Sequence, residues 1–437
     1  MQAFRKKSFE KFVVTAPLTS LRQTKLFQVV IVLFPVTALI AAAFFIRYYH
    51  FTRLSIWMDE SYDLRLARDL SFWQTFTYSF SAVPHAPLFT TLMHIWQNML
   101  GVSELKVRLF ALITAMLTLP LVYYIAQRWI NLPVAILSLL LMTVSPLDVY
   151  WSQSIRPYGL LTLLITTSMI LALFVTEYSN NNWCWLFYNL NLIVLVYLHY
   201  LSFHIIFGQV VFFLITFIPT RNKRALISLG AVLLVTGIAF LPWLGNFLAQ
   251  SGNGPNVYQP GSLDQIGQVF EALASWFTNP VLLFMIGAVF GPLYLLGIYW
   301  LWQHHRKIAV LLLCWSFLPV ITTWVSSLIR PNFLIRYFVI CLPAFLIIVA
   351  AGIWSTATLV RKSWLKPALP AVAVGLVLWL NLSSLVHYER YYTQQNWREL
   401  VNYIVDNRWQ EDVIFFANPW GYLQTPFDFY YQDVLGL

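Results

Sequence analysis

The chain of 437 residues is 59% hydrophobic, 17% aromatic and only 10% charged, with a mean hydropathy of +0.68. A soluble domain carries roughly a quarter charged side chains, so the composition excludes a soluble globular protein. The net charge of +10 sits in short pieces between apolar runs, which argues against a nucleic-acid-binding face.

From the N-terminus, a basic stretch over residues 1–25 precedes the apolar run Leu26–Ile46. That run is too long for a typical signal-peptide core, so despite Ala41-Ala42-Ala43 it reads as an uncleaved anchor. Further runs able to cross a bilayer are Leu109–Ile125, Leu132–Leu147, Leu160–Thr176, Trp183–Leu198 and Leu201–Ile218. Ala225–Trp243, Val281–Trp302, Ile308–Leu328, Tyr337–Leu359 and Ala368–Val386 complete the series. A span takes about 20 apolar residues, and each must be helical because lipid offers the backbone no other partner. The expected fold class is therefore an all-α polytopic membrane protein, a bundle of about 11 transmembrane helices over residues 26–386. Barrel strands would appear as short alternating segments, which the sequence lacks. Cys184, Cys314 and Cys341 lie inside apolar runs, so no disulfide framework is indicated.

The stretch "PLFTTLMHIWQNML", Pro87–Leu100, is shorter than a bilayer and is interrupted by His94, Gln97 and Asn98. It is expected to lie in the interface rather than to span. With it excluded and the N-terminus inside, the cytoplasmic pieces hold 15 of the 27 Lys and Arg residues but only Glu10 and Glu177 among 17 acids. That asymmetry satisfies the positive-inside rule. The expected location is a plasma (inner) membrane, multi-pass, with the C-terminus outside. Three pieces then face outward: a large first loop of interfacial helices over residues 47–108, a second loop over 244–280 containing "SGNGPNVYQPGS", and the tail 387–437. In the tail, Asn396–Asn407 reads as an amphipathic helix and Val413–Ala417 as a strand. Together they suggest a small α/β appendage, which the stop at "YYQDVLGL" leaves open to being incomplete.

Isolated charges near helix ends gather on the outward side: Asp59, Glu60 and Asp63, then Glu104, Lys106 and Arg108, then Asp148 and Arg156, then Arg330 and Arg336. Ionisable groups at membrane depth are costly and tend to be functional. Blander readings exist for several of them. Arg108 and Arg330 can snorkel to headgroups, and Asp63, Arg65, Arg68 and Asp69 fit a solvated, self-paired helix face. Asp148 beside Pro146 fits a cap or turn. Asp59-Glu60 stands apart, because two adjacent acids at headgroup level repel one another and lose hydration, which raises a carboxylate pKa toward that of a general base. His199 and His204 in "HYLSFH" are spaced off a common helix face, so hydrogen bonding or packing is the favoured role rather than metal binding. No P-loop or dinucleotide fingerprint is present.

Five motifs occur in order: "WMDE", "PHAPLF", "LGVSELKVRLFA", "VYWSQSIRPYGLL" and "LIRYFV". In this order they resemble the dolichyl-phosphate-mannose–protein mannosyltransferase family, within the GT-C glycosyltransferases that include the lipid A aminoarabinose transferases. The resemblance implies an inverting transfer of a sugar from a polyprenyl-phosphate donor to an acceptor hydroxyl outside the cytoplasm. It implies Asp59 as general base, with Glu60 tuning it or holding the sugar. His85 falls where the family often has His-Pro-Pro, although here the run is His85-Ala86-Pro87. Arg156 and Tyr158 match a Ser-Gln-x-x-Arg-Pro-Tyr element, and Arg336 and Tyr337 match a late Arg-Tyr element. Arginine forks suit a lipid phosphate that gains charge as it leaves. No metal or other cofactor is required by this scheme; a divalent cation, used in related branches, is not indicated but stays open. The implied partners are the lipid-linked sugar, a lipid, glycan or protein acceptor, and membrane lipids, with no nucleic acid. Two other classes compete: a transporter or lipid flippase, which calls for mid-depth charges and paired halves, and an O-antigen ligase or polymerase-type enzyme.

Overall fold

The computed structural model describes residues 18–77, 86–252, 261–276, 280–359, 362–363, 366–407, 413–414, 416 and 423–436. In chain order the helices are α1 (Leu18–Tyr48), α2 (Met58–Asp69), α3 (Phe72–Thr77), α4 (Pro87–Leu100), α5 (Glu104–Trp129) and α6 (Leu132–Val144). They continue with α7 (Pro146–Ser152), α8 (Tyr158–Glu177), α9 (Asn182–Leu198), α10 (Ser202–Phe217), α11 (Lys223–Gly252), α12 (Leu263–Ser275) and α13 (Pro280–His304). Then follow α14 (Arg306–Ser316), α15 (Leu318–Ile329), a 3-10 helix (Ile335–Cys341), α16 (Leu342–Ser355), α17 (Ala368–Tyr391), α18 (Trp397–Asn407) and α19 (Gln424–Asp428).

Among the described residues, seven helices or joined helices are long and apolar enough to cross a membrane. Leu132–Val144 and Pro146–Ser152 form a pair bent by 59°, and Leu33–Tyr48, Asn182–Leu198 and Ser202–Phe217 are shorter apolar helices. These elements stand at the positions of the apolar runs read from the sequence. Pro87–Leu100 is helical, as α4, but is not among the crossing helices. Its Phe89, Thr91, Met93 and Gln97 are buried.

The bend between α6 and α7 has a local cause. Asn131 caps α6 by accepting the Val134 N–H at 2.9 Å. Pro146 then disfavours helical backbone at Ser145, so the chain turns and α7 runs across the end of the bundle. This delivers Gln153-Ser154-Ile155-Arg156 to that end.

The segment Ile335–Leu359, which contains α16, is the centre of the bundle, with 94% of its span window buried against 22% for Leu282–His304. Its apolar residues run all round the helix, as expected of a helix ringed by protein. Gly297 of α13 and Gly352 of α16 let the two backbones meet, since a Cβ on either would overlap a carbonyl oxygen of the other helix. Polar side chains also link spans: Tyr188 donates to Gln209 at 2.8 Å, and Gln209 donates to Ser168 at 2.8 Å.

In the tail, α18 covers the expected helix, but the expected strand is not found among the described residues. Val413, Ile414 and Phe416 are not in a strand, and Phe415 and Ala417 lie outside the described residues. The regular elements described in the tail are helices, and the last turns pack on α2 and the segment before it: Tyr430 lies 2% exposed and accepts the Ile56 N–H at 2.7 Å. A strand edge there would need a pairing partner, and helices satisfy their own backbone.

The backbone approach at Gly352 predicts that Gly352→Leu forces α13 and α16 apart. Its thermal unfolding midpoint in detergent should drop by roughly 5 °C or more, while a substitution at Gly375, where a Cβ meets nothing within 4 Å, should leave it unchanged.

Candidate active site

Asp59, Glu60 and Asp63 open α2, and helical geometry sends them in different directions. Residues i and i+4 share a face while i+1 turns away. Glu60 turns inward and is 1% exposed. One of its oxygens accepts the Ser154 hydroxyl at 2.6 Å and the Ile155 N–H at 2.7 Å. The Arg108 guanidinium stands 3.9 Å from the other. Burial pushes the Glu60 carboxyl above its ordinary range, opposed by Arg108 and by these hydrogen bonds.

Asp59 and Asp63 face Arg156. Arg156 donates to Asp63 at 2.6 Å and to the Asp59 carbonyl at 2.9 Å. A second Arg156 nitrogen lies 4.0 Å from the Asp59 carboxylate. Arg336, 277 positions later in the sequence, donates to the same carboxylate at 3.1 Å. The Asp59 side chain is 23% exposed and that of Arg336 is 26% exposed, against 1% for Asp63. An accessible carboxylate therefore sits between two guanidiniums at one end of the bundle.

Aromatic rings floor this end. The Arg336 guanidinium lies over the Trp57 ring, 5.9 Å from its centroid. Tyr158 is buried, with His199 at 5.8 Å and Tyr337 at 6.2 Å between ring centroids. The structure thus brings together Asp59, Glu60, Arg156, Tyr158, Arg336 and Tyr337. His85 lies outside the described residues.

Several single-residue expectations are corrected. Asp63 is not part of a solvated face but is fully buried on Arg156. Its spacing of four from Asp59 was the available signal, because it places both acids beside one guanidinium. Arg65 and Asp69 do pair, at 3.2 Å, yet Arg65 also reaches Asp428 at 3.3 Å, and Arg68 binds Asp433. Arg108 does not snorkel: it is 2% exposed and donates to the Leu54 and Gln153 carbonyls as well as facing Glu60. Asp148 is no mere turn residue, since it binds the fully buried Arg47 at 2.5 Å. Arg47 ends the first apolar run, so its partner could only come from tertiary structure. Ser154, which holds Glu60, had no signal of its own.

Asp59 faces Arg336, Glu60 faces Arg108 and Asp63 faces Arg156. Among the described residues no three His, Cys, Asp or Glu stand together as a metal site.

A family model for dolichyl-phosphate-mannose-protein mannosyltransferase matches residues 84–245. That stretch includes Arg156 and Tyr158 but not Asp59 or Arg336. No curated protein matches the chain. Among solved structures, ArnT from Cupriavidus metallidurans bound to undecaprenyl phosphate is similar over 90% of this chain and 84% of its own, with TM-score 0.60 and 15% identity. The Archaeoglobus fulgidus oligosaccharyltransferase in its apo form is similar over 92% of this chain and 64% of its own, with TM-score 0.60 and 11% identity. The chain thus spans less than two thirds of the archaeal enzyme's length. It has the GT-C fold of these membrane proteins and resembles the mannosyltransferase family.

The Glu60 environment carries a pH signature. A raised carboxyl pKa lets the folded chain keep a proton that the unfolded chain has released, so stability falls as pH rises from the ordinary value of 4.5 to the folded value. Above that it levels off. Glu60→Gln should remove this contribution, so that the wild type loses ground to the variant as pH rises from 4.5. Unfolding midpoints measured at several pH values check this, and parallel profiles would contradict it.

Proposed function

We propose that the protein is an inverting glycosyltransferase. It moves a sugar from a polyprenyl-phosphate donor to an acceptor hydroxyl at the outer face of the membrane. The observation that carries this reading is the partly exposed Asp59 carboxylate held against Arg336, with Arg156 behind it, at one end of an apolar bundle. The similar ArnT structure holds undecaprenyl phosphate, which supports a polyprenyl phosphate as the donor's lipid. Arg156, Arg336 and the Asp59 loop lie on the side away from the Lys-rich pieces, which supports an outer-face reaction.

In this reading the donor sugar enters beside Asp59 and opens its contact with Arg336. The Asp59 carboxylate takes the proton of the acceptor hydroxyl. The acceptor oxygen attacks the anomeric carbon from the face opposite the phosphate, and the bond from that carbon to the phosphate oxygen breaks. The lipid phosphate leaves with the bonding pair, and its growing charge falls on Arg336 and Arg156, as in an oxyanion hole. Tyr158 and Tyr337 lie in or beside the elements that would line the sugar, and His85 is assigned there from the resemblance alone. Glu60, buried against Ser154 and Ile155, is a positioning residue that ties the base-bearing helix to the segment carrying Arg156. No metal takes part in the scheme.

The test is transfer of labelled sugar from a polyprenyl-phosphate donor by protein reconstituted in liposomes. Asp59→Asn should lower kcat by about 10²- to 10⁴-fold while still binding donor. Arg336→Ala should lower donor turnover by about 10²-fold or more. A folded Asp59→Asn protein working at the parental rate would remove the assigned base, and solute flux without any glycosylated product would point to a transporter.

A further inference from the structure

A second feature lies at the opposite end of the bundle. Between α10, α13 and α14 runs an apolar groove of about 360 Å³, lined by Val211, Ile215, Trp302, Val310, Leu313 and Phe317, among others. Its origin is a backbone approach. A Cβ on Gly208 would lie 2.8 Å from the Cys314 carbonyl oxygen, so α10 and α14 touch at that level. One and two turns beyond Gly208, Val211 and Ile215 face Val310 and Leu313 across the gap instead of touching backbone to backbone. Trp302 closes one side. It is 41% exposed, and the Arg306 guanidinium lies over its ring, 4.7 Å from the centroid.

We infer that this groove is a binding site for an anionic glycerophospholipid of the leaflet that faces the basic loops. The acyl chain lies along the groove, and the headgroup phosphate is held by Arg306. Charge complementarity favours this occupant: Arg306 opens α14 at the groove's end, Arg221 lies in the turn that follows α10, and Lys223 and Arg224 open α11. A guanidinium stacked on an indole is held in place while its N–H edge stays available to an anion. Position argues against the donor lipid. Arg306 and Ile329 are the two ends of one 24-residue span, so the groove's cationic end and the Arg336 site lie on opposite faces of the membrane. The site therefore does not depend on the proposed reaction.

Delipidated protein in neutral detergent, titrated with phosphatidylglycerol and with phosphatidylcholine and read by native mass spectrometry, tests the inference. One phosphatidylglycerol should be retained at about fivefold lower concentration than phosphatidylcholine, the worth of one cation near an anionic headgroup. Arg306→Gln, at an exposed position, should erase that preference, and Ile215→Trp or Val310→Trp should lower retention of both lipids by filling the groove. Equal retention of the two lipids by the wild type overturns the inference, as does a preference that survives Arg306→Gln. Preferential capture of undecaprenyl phosphate, lost in the same variants, would overturn the choice of lipid. Sugar transfer by Arg306→Gln protein, if the proposed activity holds, separates this outcome from loss of the reaction centre.

Discussion

A charge taken out of water must find an opposite charge or a set of hydrogen bonds, and the first turns of α2 carry three carboxylates. Leaving one buried charge unpaired costs about 3–5 kcal/mol. The partners come from far along the chain: Ser154, Ile155 and Arg156 from the turn after α7, Arg108 from the start of α5, and Arg336 from the 3-10 helix. The acids thus pin three loops to one point. The bent helix pair matters for the same reason, since without the turn at Pro146 the segment carrying Arg156 would continue along its span.

Around this point a second layer closes from the tail. Arg398 of α18 binds Glu104 at 2.6 Å, Glu104 lies 3.3 Å from Arg108, and Arg108 faces Glu60. The charges alternate along that row, so each is neutralised by its neighbours and none needs water. Thr425, Asp428 and Asp433 meet Ser61, Arg65 and Arg68 along the outer side of α2. Burial pushes the Asp428 and Asp433 carboxyls above their ordinary range, with the arginines opposing that shift. The tail therefore braces the helix that presents Asp59, and this carboxylate is presented by a fixed element although its own loop is long. A reacting group held this way meets its substrate with little reorganisation.

Much of this was legible in the sequence, and the division has a physical basis. Membrane spans announce themselves because lipid demands long apolar runs, and the sign of loop charges follows from the cost of moving cations across. The site's outline was legible for a related reason: a charge beside an apolar run is rare enough to stand out, so Asp59, Arg156 and Arg336 could be singled out. Pairing was not legible. Arg47 and Asp148, or Asp63 and Arg156, look like ordinary terminal charges until folding puts them within 3 Å of each other. Asp59 and Glu60 looked alike as neighbours, yet a rotation of one residue along the helix makes one accessible and buries the other. In the tail a short apolar stretch, Val413–Ala417, reads as a strand, and nothing in the sequence shows whether an edge awaits it.

The two arginines beside Asp59 are not equivalent, and their pairing says why. Arg156 is 10% exposed and already faces two carboxylates and a carbonyl, and Asp63 holds it at 2.6 Å. At an effective dielectric of about 20, one such contact is worth about 4 kcal/mol at 4 Å before desolvation, so Asp63 holds the Arg156 guanidinium in place. Arg336 has the Asp59 carboxylate and an indole face, and it is the more exposed of the two. Among the described residues its one carboxylate partner is Asp59, so it is the one of the two that a second anion can reach. Displacing Arg336 would leave Asp59 with Arg156, a nitrogen of which lies 4.0 Å from its carboxylate. Arg156, fixed by Asp63, is the frame against which Asp59 and Arg336 are set.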